Sequence, residues 1–211
     1  MGKLFSFDPF QPEQIEVCLD FANTLRWHAS DQPEEKLHTY PDWVMWASER
    51  GLVKADEARV LIGMAHQHPE EAAQTLQQAV NLREAIYRVF SAQAHGQLPA
   101  QADLDQINAA VSEVLAKAQV FLTENGFQWG WMVDVPALDQ MLWPIPLAAA
   151  NLLTSEELLP RVGECADDRG CGWLFLDRSK NRSRQWCDIN DCGNRAKQKR
   201  HYERARRKKR G

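Results

Sequence analysis

The chain of 211 residues has no uninterrupted apolar stretch of the roughly 20 residues that a helix needs to cross a bilayer. Its opening, Met1-Gly2-Lys3-Leu4-Phe5-Ser6-Phe7-Asp8, lacks an apolar leader, so the expectation is a cytoplasmic protein with no membrane partner. No internal repeat or low-complexity tract precedes the tail, which excludes a repeat architecture. Cysteine is too scarce for a disulfide scaffold: there are five, and only Cys18, in an apolar helical pattern, lies outside the last quarter. Cys18 has the setting of an ordinary buried thiol. Histidines do not cluster as ligands. His66 and His68 are two apart, which does not place them on one helix face. His201 lacks the companion histidines and carboxylates that a nuclease centre needs. With no set of base, metal and electrophile, the expectation is that the protein is not an enzyme.

What is present is concentrated at one end. Cys165, Cys171, Cys187 and Cys192 give the spacing C-x5-C-x15-C-x4-C. Two disulfides are the alternative. In a reducing compartment, two close pairs across a short spacer point instead to four thiolates on one zinc ion. Four protein ligands leave no open coordination position, so this zinc would be structural.

Charge is divided in the same place. The formal net charge is only -4. Yet residues 178–211 hold 14 of the 25 Lys and Arg against three acidic residues, a net of +11. The preceding 177 residues hold 11 basic against 26 acidic groups, a net of -15. A cationic end on an anionic body suits a polyanion at that end. A disordered basic tail accounts only for Arg206 to Gly211. Upstream, the cations alternate with cysteines and aromatics.

The expected fold class is mainly α: a multihelical N-terminal domain with a small β-hairpin, residues 1–160, then a C-terminal treble-clef-like zinc module ending in a basic helix, residues 161–211. Ile15 to Leu25 has the dense apolar face of a buried first helix. Helices are predicted over 42–50, with Pro41 in the first turn and Gly51 as the stop, and over 55–66, 70–94 and 101–118. Two β-rich runs flank Asn125-Gly126, a pair suited to a two-residue turn, and predict a hairpin over 120–131. Pro136 reopens helix, with Pro144 and Pro146 interrupting an apolar run over 138–153. Thr154-Ser155-Glu156-Glu157 has the form of a capping box for a short linking helix. In the module, Gly172 to Asp177 and Gln185 to Cys187 are predicted to pair as strands, and a helix runs from Cys192 to about Arg207.

Cys171-Gly172-Trp173-Leu174-Phe175-Leu176-Asp177, Asn181-Arg182, Arg184, Trp186-Cys187 and Cys192-Gly193-Asn194-Arg195-Ala196-Lys197 closely resemble the CGNR zinc-finger family. The body is similar to that family's usual N-terminal partner, the ABATE domain. The matching stretches are Cys18-Leu19-Asp20-Phe21-Ala22-Asn23-Thr24, Leu82-Arg83-Glu84-Ala85-Ile86-Tyr87, Leu142-Trp143-Pro144 and Ala148-Ala149-Ala150-Asn151-Leu152-Leu153. Together they span almost the whole chain. The resemblance implies a bacterial, stress-induced regulator of transcription whose finger binds DNA. The first cysteine pair encloses five residues where the family's spacing leads one to expect four. The extra residue can bulge without moving the thiolates.

For nucleic acid the candidates are Arg182, Arg184, Arg195, Lys197, Lys199, Arg200 and Arg204. Such side chains neutralise phosphates, and arginine also pairs bidentately with guanine. Lys197, Arg200 and Arg204 recur at helical spacing. Arg195 lies at the helix start, where recognition side chains often meet bases. Some of the seven can instead solvate the helix or pack on Trp173 and Trp186. In the body, Asp20, Asn23 and Arg83 are polar groups inside apolar runs. They would either hold a small-molecule effector or form a buried polar network, and the network is favoured because buried charges are usually paired. Duplex DNA is the expected partner and one structural Zn2+ the expected cofactor. The rivals are an RNA- or ribosome-associated protein and an enzyme with its site in the helical domain. A homodimer is left open.

Overall fold

A computed structural model describes residues 3–6, 12–124, 126–133 and 136–208. Helix dominates. Two short helices open the body, α1 (Pro12–Ile15) and α2 (Val17–Ala22). The first helix therefore stops short of Leu25. The Asn23 N–H still closes on Leu19, but the Thr24 hydroxyl donates to the Phe21 carbonyl at 2.7 Å and competes with further helix. The chain turns instead into β2 (Leu25–Arg26), antiparallel to β3 (Glu34–Glu35), after β1 (Lys3–Ser6) near the N-terminus.

The next helices follow their sequence signals. In α3 (Tyr40–Glu49), Thr39 and Asp42 cap each other's backbone and Pro41 sits in the first turn. Gly51 follows at φ 71°, as a stop residue should. Then come α4 (Ala55–Gln67), α5 (Pro69–Ala94) and α6 (Gln101–Lys117). The hairpin is β4 (Gln119–Thr123) against β5 (Gly126–Val133), and β1 extends the sheet on the far side of β5. Thr123 pairs with Gly126, so Gly126 closes the turn instead of occupying its centre. Asn125 lies outside the described residues. Among the described residues between β5 and α7 (Pro144–Thr154) there is only a 3-10 turn, Gln140–Leu142. Pro144 and Pro146 fall in the first turn of α7, where no N–H is needed, so they begin this helix and do not break it. Ser155 accepts from the Leu158 N–H, but the next element is a 3-10 turn, Leu159–Arg161, and not a capped linking helix. Among the described residues no helix is long and apolar enough to cross a membrane.

The finger is built differently from its predicted strand pairing. β7 (Leu174–Leu176) is present, but its partner is β6 (Val162–Glu164), ahead of the first cysteine. Gln185 to Cys187 forms no strand. A π turn, Ile189–Gly193, leads into α8 (Asn194–Lys208). Val162, Leu174 and Leu176 are buried in one continuous core with Phe21, Trp43, Ile86, Phe90 and Leu152. This strand pair lies beyond the expected boundary at 160 yet packs with the body.

Asn23 makes the join specific. Its Nδ2 donates to the Leu174 carbonyl and its Oδ1 accepts the Leu174 N–H, both at 2.8 Å. A side-chain amide here completes a strand's hydrogen bonds across the interior. Asn23 is 5% exposed, so no water replaces it readily. N23A should cost about 2–6 kcal/mol, because it strands one buried donor and one buried acceptor at ~1–3 kcal/mol each. Chemical denaturation of N23A beside wild type measures this. A loss near that of an exposed alanine substitution would mean that the two backbone groups find other partners.

Candidate metal centre and nucleic-acid interface

The four cysteine sulfurs meet, and each lies within 4.8 Å of the others. Cys187 Sγ is 3.7 Å from Cys171 Sγ and 3.6 Å from Cys192 Sγ. Tetrahedral zinc with Zn–S bonds of about 2.3 Å requires sulfurs about 3.8 Å apart, so the four thiolates fit one zinc ion. They come from four different settings. Cys165 follows β6, Cys171 lies in a knuckle before β7, Cys187 ends a loop, and Cys192 lies in the π turn. Among the described residues, the apolar cluster around these sulfurs holds only Trp173 and Trp186, with Trp27 from the body. That is too little apolar surface to fold unaided, so metal binding must supply the balance. Cys18 stands apart. It is fully buried, donates to the Ile15 carbonyl at 3.3 Å, and burial pushes its thiol pKa up.

The knuckle is pressed against the body. Gly172, at φ 65°, has a position where a Cβ would lie 2.7 Å from both the Ala29 nitrogen and the Tyr87 hydroxyl. Gly170, at φ 83°, would meet the Ala29 carbonyl at 2.6 Å. Both glycines are required by backbone conformation and by close approach. Trp27 is itself in the left-handed region, at φ 54°, and meets the finger's cations: Arg169 lies 4.9 Å and Arg195 5.6 Å from its ring. Arg178 pairs with Glu16 across the same seam.

The seven cations expected to meet nucleic acid divide into groups. Arg195 is occupied within the module. It donates to Cys192 Sγ at 2.9 Å and to Asp167 Oδ2 at 3.1 Å, and pairs with Asp191. Arg184 donates to the carbonyls of Trp186 at 3.0 Å and Cys187 at 2.5 Å, with its guanidinium over Phe175. These two shape the metal loop in the arrangement seen. Lys199 pairs with Asp168 at the surface, and Arg200 lies over Trp186 at 5.7 Å. Arg182, Lys197 and Arg204 are exposed and form no ion pair with a described residue. Lys197, Arg200 and Arg204 share one stripe of α8.

Sequence reasoning missed Asp167 and Asp168. Asp167 is 7% exposed and receives Arg169 as well as Arg195. Burial pushes its carboxyl up, but the bonds from Arg169 and Arg195 outweigh this and hold it well below the ordinary carboxylate range. The available signal was two acids between the first cysteines, opposite a basic helix. Trp27 gave no signal at all.

Asp20, Asn23 and Arg83 do not converge on one space. Asp20 pairs with Arg50 at 3.1 Å, and burial raises its carboxyl. Asn23 is committed to Leu174. Arg83 is 2% exposed: it holds both Glu35 oxygens at 2.7 Å, Glu84 Oε1 at 2.9 Å and the Thr24 hydroxyl at 3.3 Å. Glu84 passes the chain to His28 Nε2 at 2.9 Å, and the His28 ring stacks on Tyr87. These contacts favour the polar network over an effector pocket.

The ABATE model, described as "Putative stress-induced transcription regulator", matches residues 16–156. The CGNR zinc finger model matches residues 161–205. Neither description is of an enzyme. No curated protein matches the chain. Matched over most of its length and carrying the four-thiolate zinc centre in its second part, the chain belongs to the ABATE family and bears a CGNR zinc finger.

Proposed function

We propose that the protein is a zinc-dependent DNA-binding regulator of transcription, in which α8 meets duplex DNA and the helical body acts as a sensor or dimerisation unit. One observation carries this: a stripe of exposed cations, Lys197, Arg200 and Arg204, stands on a metal-anchored helix attached to a body of opposite charge. The body repels a polyanion, so any attraction comes from the finger. Arg182 adds a cation from the 177–184 loop, which Asp177 shapes by accepting the N–H groups of Ser179 and Arg184. The Lys199–Asp168 pair is exposed on both sides, and such pairs are worth little, so a phosphate can replace Asp168. Arg195 and Arg184 act by holding the loop, and base reading falls to side chains that α8 leaves free.

With roughly four to six phosphates neutralised, log K against log salt should slope by about -3.6 to -5.4. K197A and R204A should each weaken every duplex similarly and flatten the slope by about 0.9 per lost phosphate contact. R195A should act differently, by reducing zinc retention and abolishing binding together. The measurement is a salt-dependent titration of these variants on a duplex selected from random sequence, on a scrambled duplex and on a structured RNA. Equal affinity for the two duplexes would remove sequence-specific regulation. Tighter binding to the RNA would move the protein to the RNA-associated class.

A further inference from the structure

At the seam between body and finger lies a crevice of about 240 Å³, lined by Trp27, Trp173 and Arg195 and reaching three of the four sulfurs, Cys171, Cys187 and Cys192. Its volume is far larger than the ~10–15 Å³ that admits one water molecule. The sulfurs are not equally reachable. Cys165, Cys171 and Cys192 are buried, at 6%, 8% and 1% exposed, whereas Cys187 is only half-buried. Cys187 is also central, at 3.7 Å from Cys171 and 3.6 Å from Cys192, with Cys165, which the crevice does not reach, within 4.8 Å. The neighbours differ in one respect. Arg195 donates a hydrogen bond to Cys192 Sγ, which ties up a sulfur lone pair and lowers nucleophilicity, and no guanidinium contacts Cys171 Sγ among the described residues.

We infer that the metal centre is a modification site for small hydroperoxides, with Cys187 as the sulfur that reacts and Cys171 as its disulfide partner. The Cys187 thiolate attacks one oxygen of the hydroperoxide and the O–O bond breaks. The departing oxygen takes a proton and leaves as water or an alcohol, and Cys187 becomes a sulfenic acid. The Cys171 thiolate then displaces hydroxide, which a proton converts to water. Two electrons pass from the sulfur pair to the peroxide. That would leave only Cys165 and Cys192 as thiolates, two too few to hold a zinc ion in a closed site. Arg195 bridges the finger and Trp27, so the change reaches the body at that contact. The inference rests on the zinc centre alone and stands or falls independently of DNA binding.

The test uses full-length, zinc-loaded protein treated with hydrogen peroxide in the presence of a chromogenic zinc chelator. Free thiols are then alkylated and the peptides mapped by mass spectrometry. The expected result is one zinc released per chain, in step with a Cys171–Cys187 disulfide, while Cys165 and Cys192 remain alkylatable. A thiol reductant with added zinc restores the metal content. Bulky cumene hydroperoxide should act more slowly than hydrogen peroxide, since the crevice limits approach. Zinc retention at peroxide levels that oxidise a free cysteine peptide overturns the inference. So does a first disulfide that leaves out Cys187, or one that joins Cys187 mainly to Cys165 or Cys192.

Discussion

Removal of zinc by a strong chelator is expected to unfold the finger and to lower the thermal midpoint of the body with it. Metal binding in small four-ligand modules contributes apparent free energies of ~10–16 kcal/mol, more than the two indoles inside this module can replace. The effect should not stop at the cysteines. The knuckle that holds Cys171 also holds Gly172 against Ala29 and Tyr87, and Leu174, three residues on, hydrogen-bonds with Asn23. When the knuckle loosens, a strand that completes the body's interior frays from one end. Circular dichroism should show a loss of helix from α8 and a shifted transition for the rest. Hydrogen exchange should show faster exchange of the Leu174 amide. The double variant C187S/C192S should resemble the chelated protein and contain no stoichiometric zinc. A body transition that stays in place after the metal leaves would show that the finger and body are energetically separate.

R83M should destabilise the chain by about 3–5 kcal/mol, the usual cost of removing one partner from a buried ion pair. Methionine fills much of the volume but leaves Glu35, Glu84 and Thr24 facing an apolar side chain. For a domain of this size, ~2–4 °C of midpoint per kcal/mol gives a drop of roughly 6–20 °C. Acid should reproduce part of this in the wild type. Burial pushes the Glu35 carboxyl up, but the hydrogen bonds from Arg83 and the Leu37 N–H outweigh it and leave it below its ordinary value. Glu84 is lowered likewise against its burial, by His28 and Arg83. A carboxyl lowered in the folded state adds stability above its unfolded value of about 4.3 and loses it as pH falls through the lower folded value. Wild type should therefore weaken on descending below about pH 4 and R83M much less, since its carboxylates no longer gain from the arginine. Thermal melts from neutral to acid pH measure both. A shift in R83M no larger than that of a surface variant, with an unchanged acid limb, would show that the network contributes geometry and no net stability.

Much of this architecture is legible in the sequence because its signals are local. The capping pair Thr39 and Asp42, Pro41 and Gly51 mark α3 without help from the rest of the chain. The cysteine spacing announces a site whose chemistry depends only on four sulfurs meeting. The failures are of long range. Nothing near Leu174 says that its strand pairs with Val162 to Glu164, because the partner is chosen by burial against α2 and α5. The prolines of α7 read as interruptions because proline has opposite effects in a first turn and in a helix interior, and only the start of the helix distinguishes them. A base contact is the sequence expectation for Arg195 because a helix start is a common reading position. Of the competing acids, Asp191 lies one turn back along the chain, and Asp167 is 28 positions away and meets Arg195 only in the folded module.

The pairing of Asn23 with Leu174 also sets a schedule. The two residues are 151 positions apart, so a ribosome adding 5–20 residues per second delivers the second about 8–30 s after the first. For that interval the emerging body lacks the strand that closes its interior, and the bare amide of Asn23 and the unfilled apolar side of α5 stay open to whatever is nearby. The cysteines emerge on both sides of that strand, so the four-sulfur site cannot close before Cys192 appears, after Leu174 itself. Nascent chains starved of zinc would pause at that step, still adhesive, and would depend on chaperones more than their stability once folded would suggest.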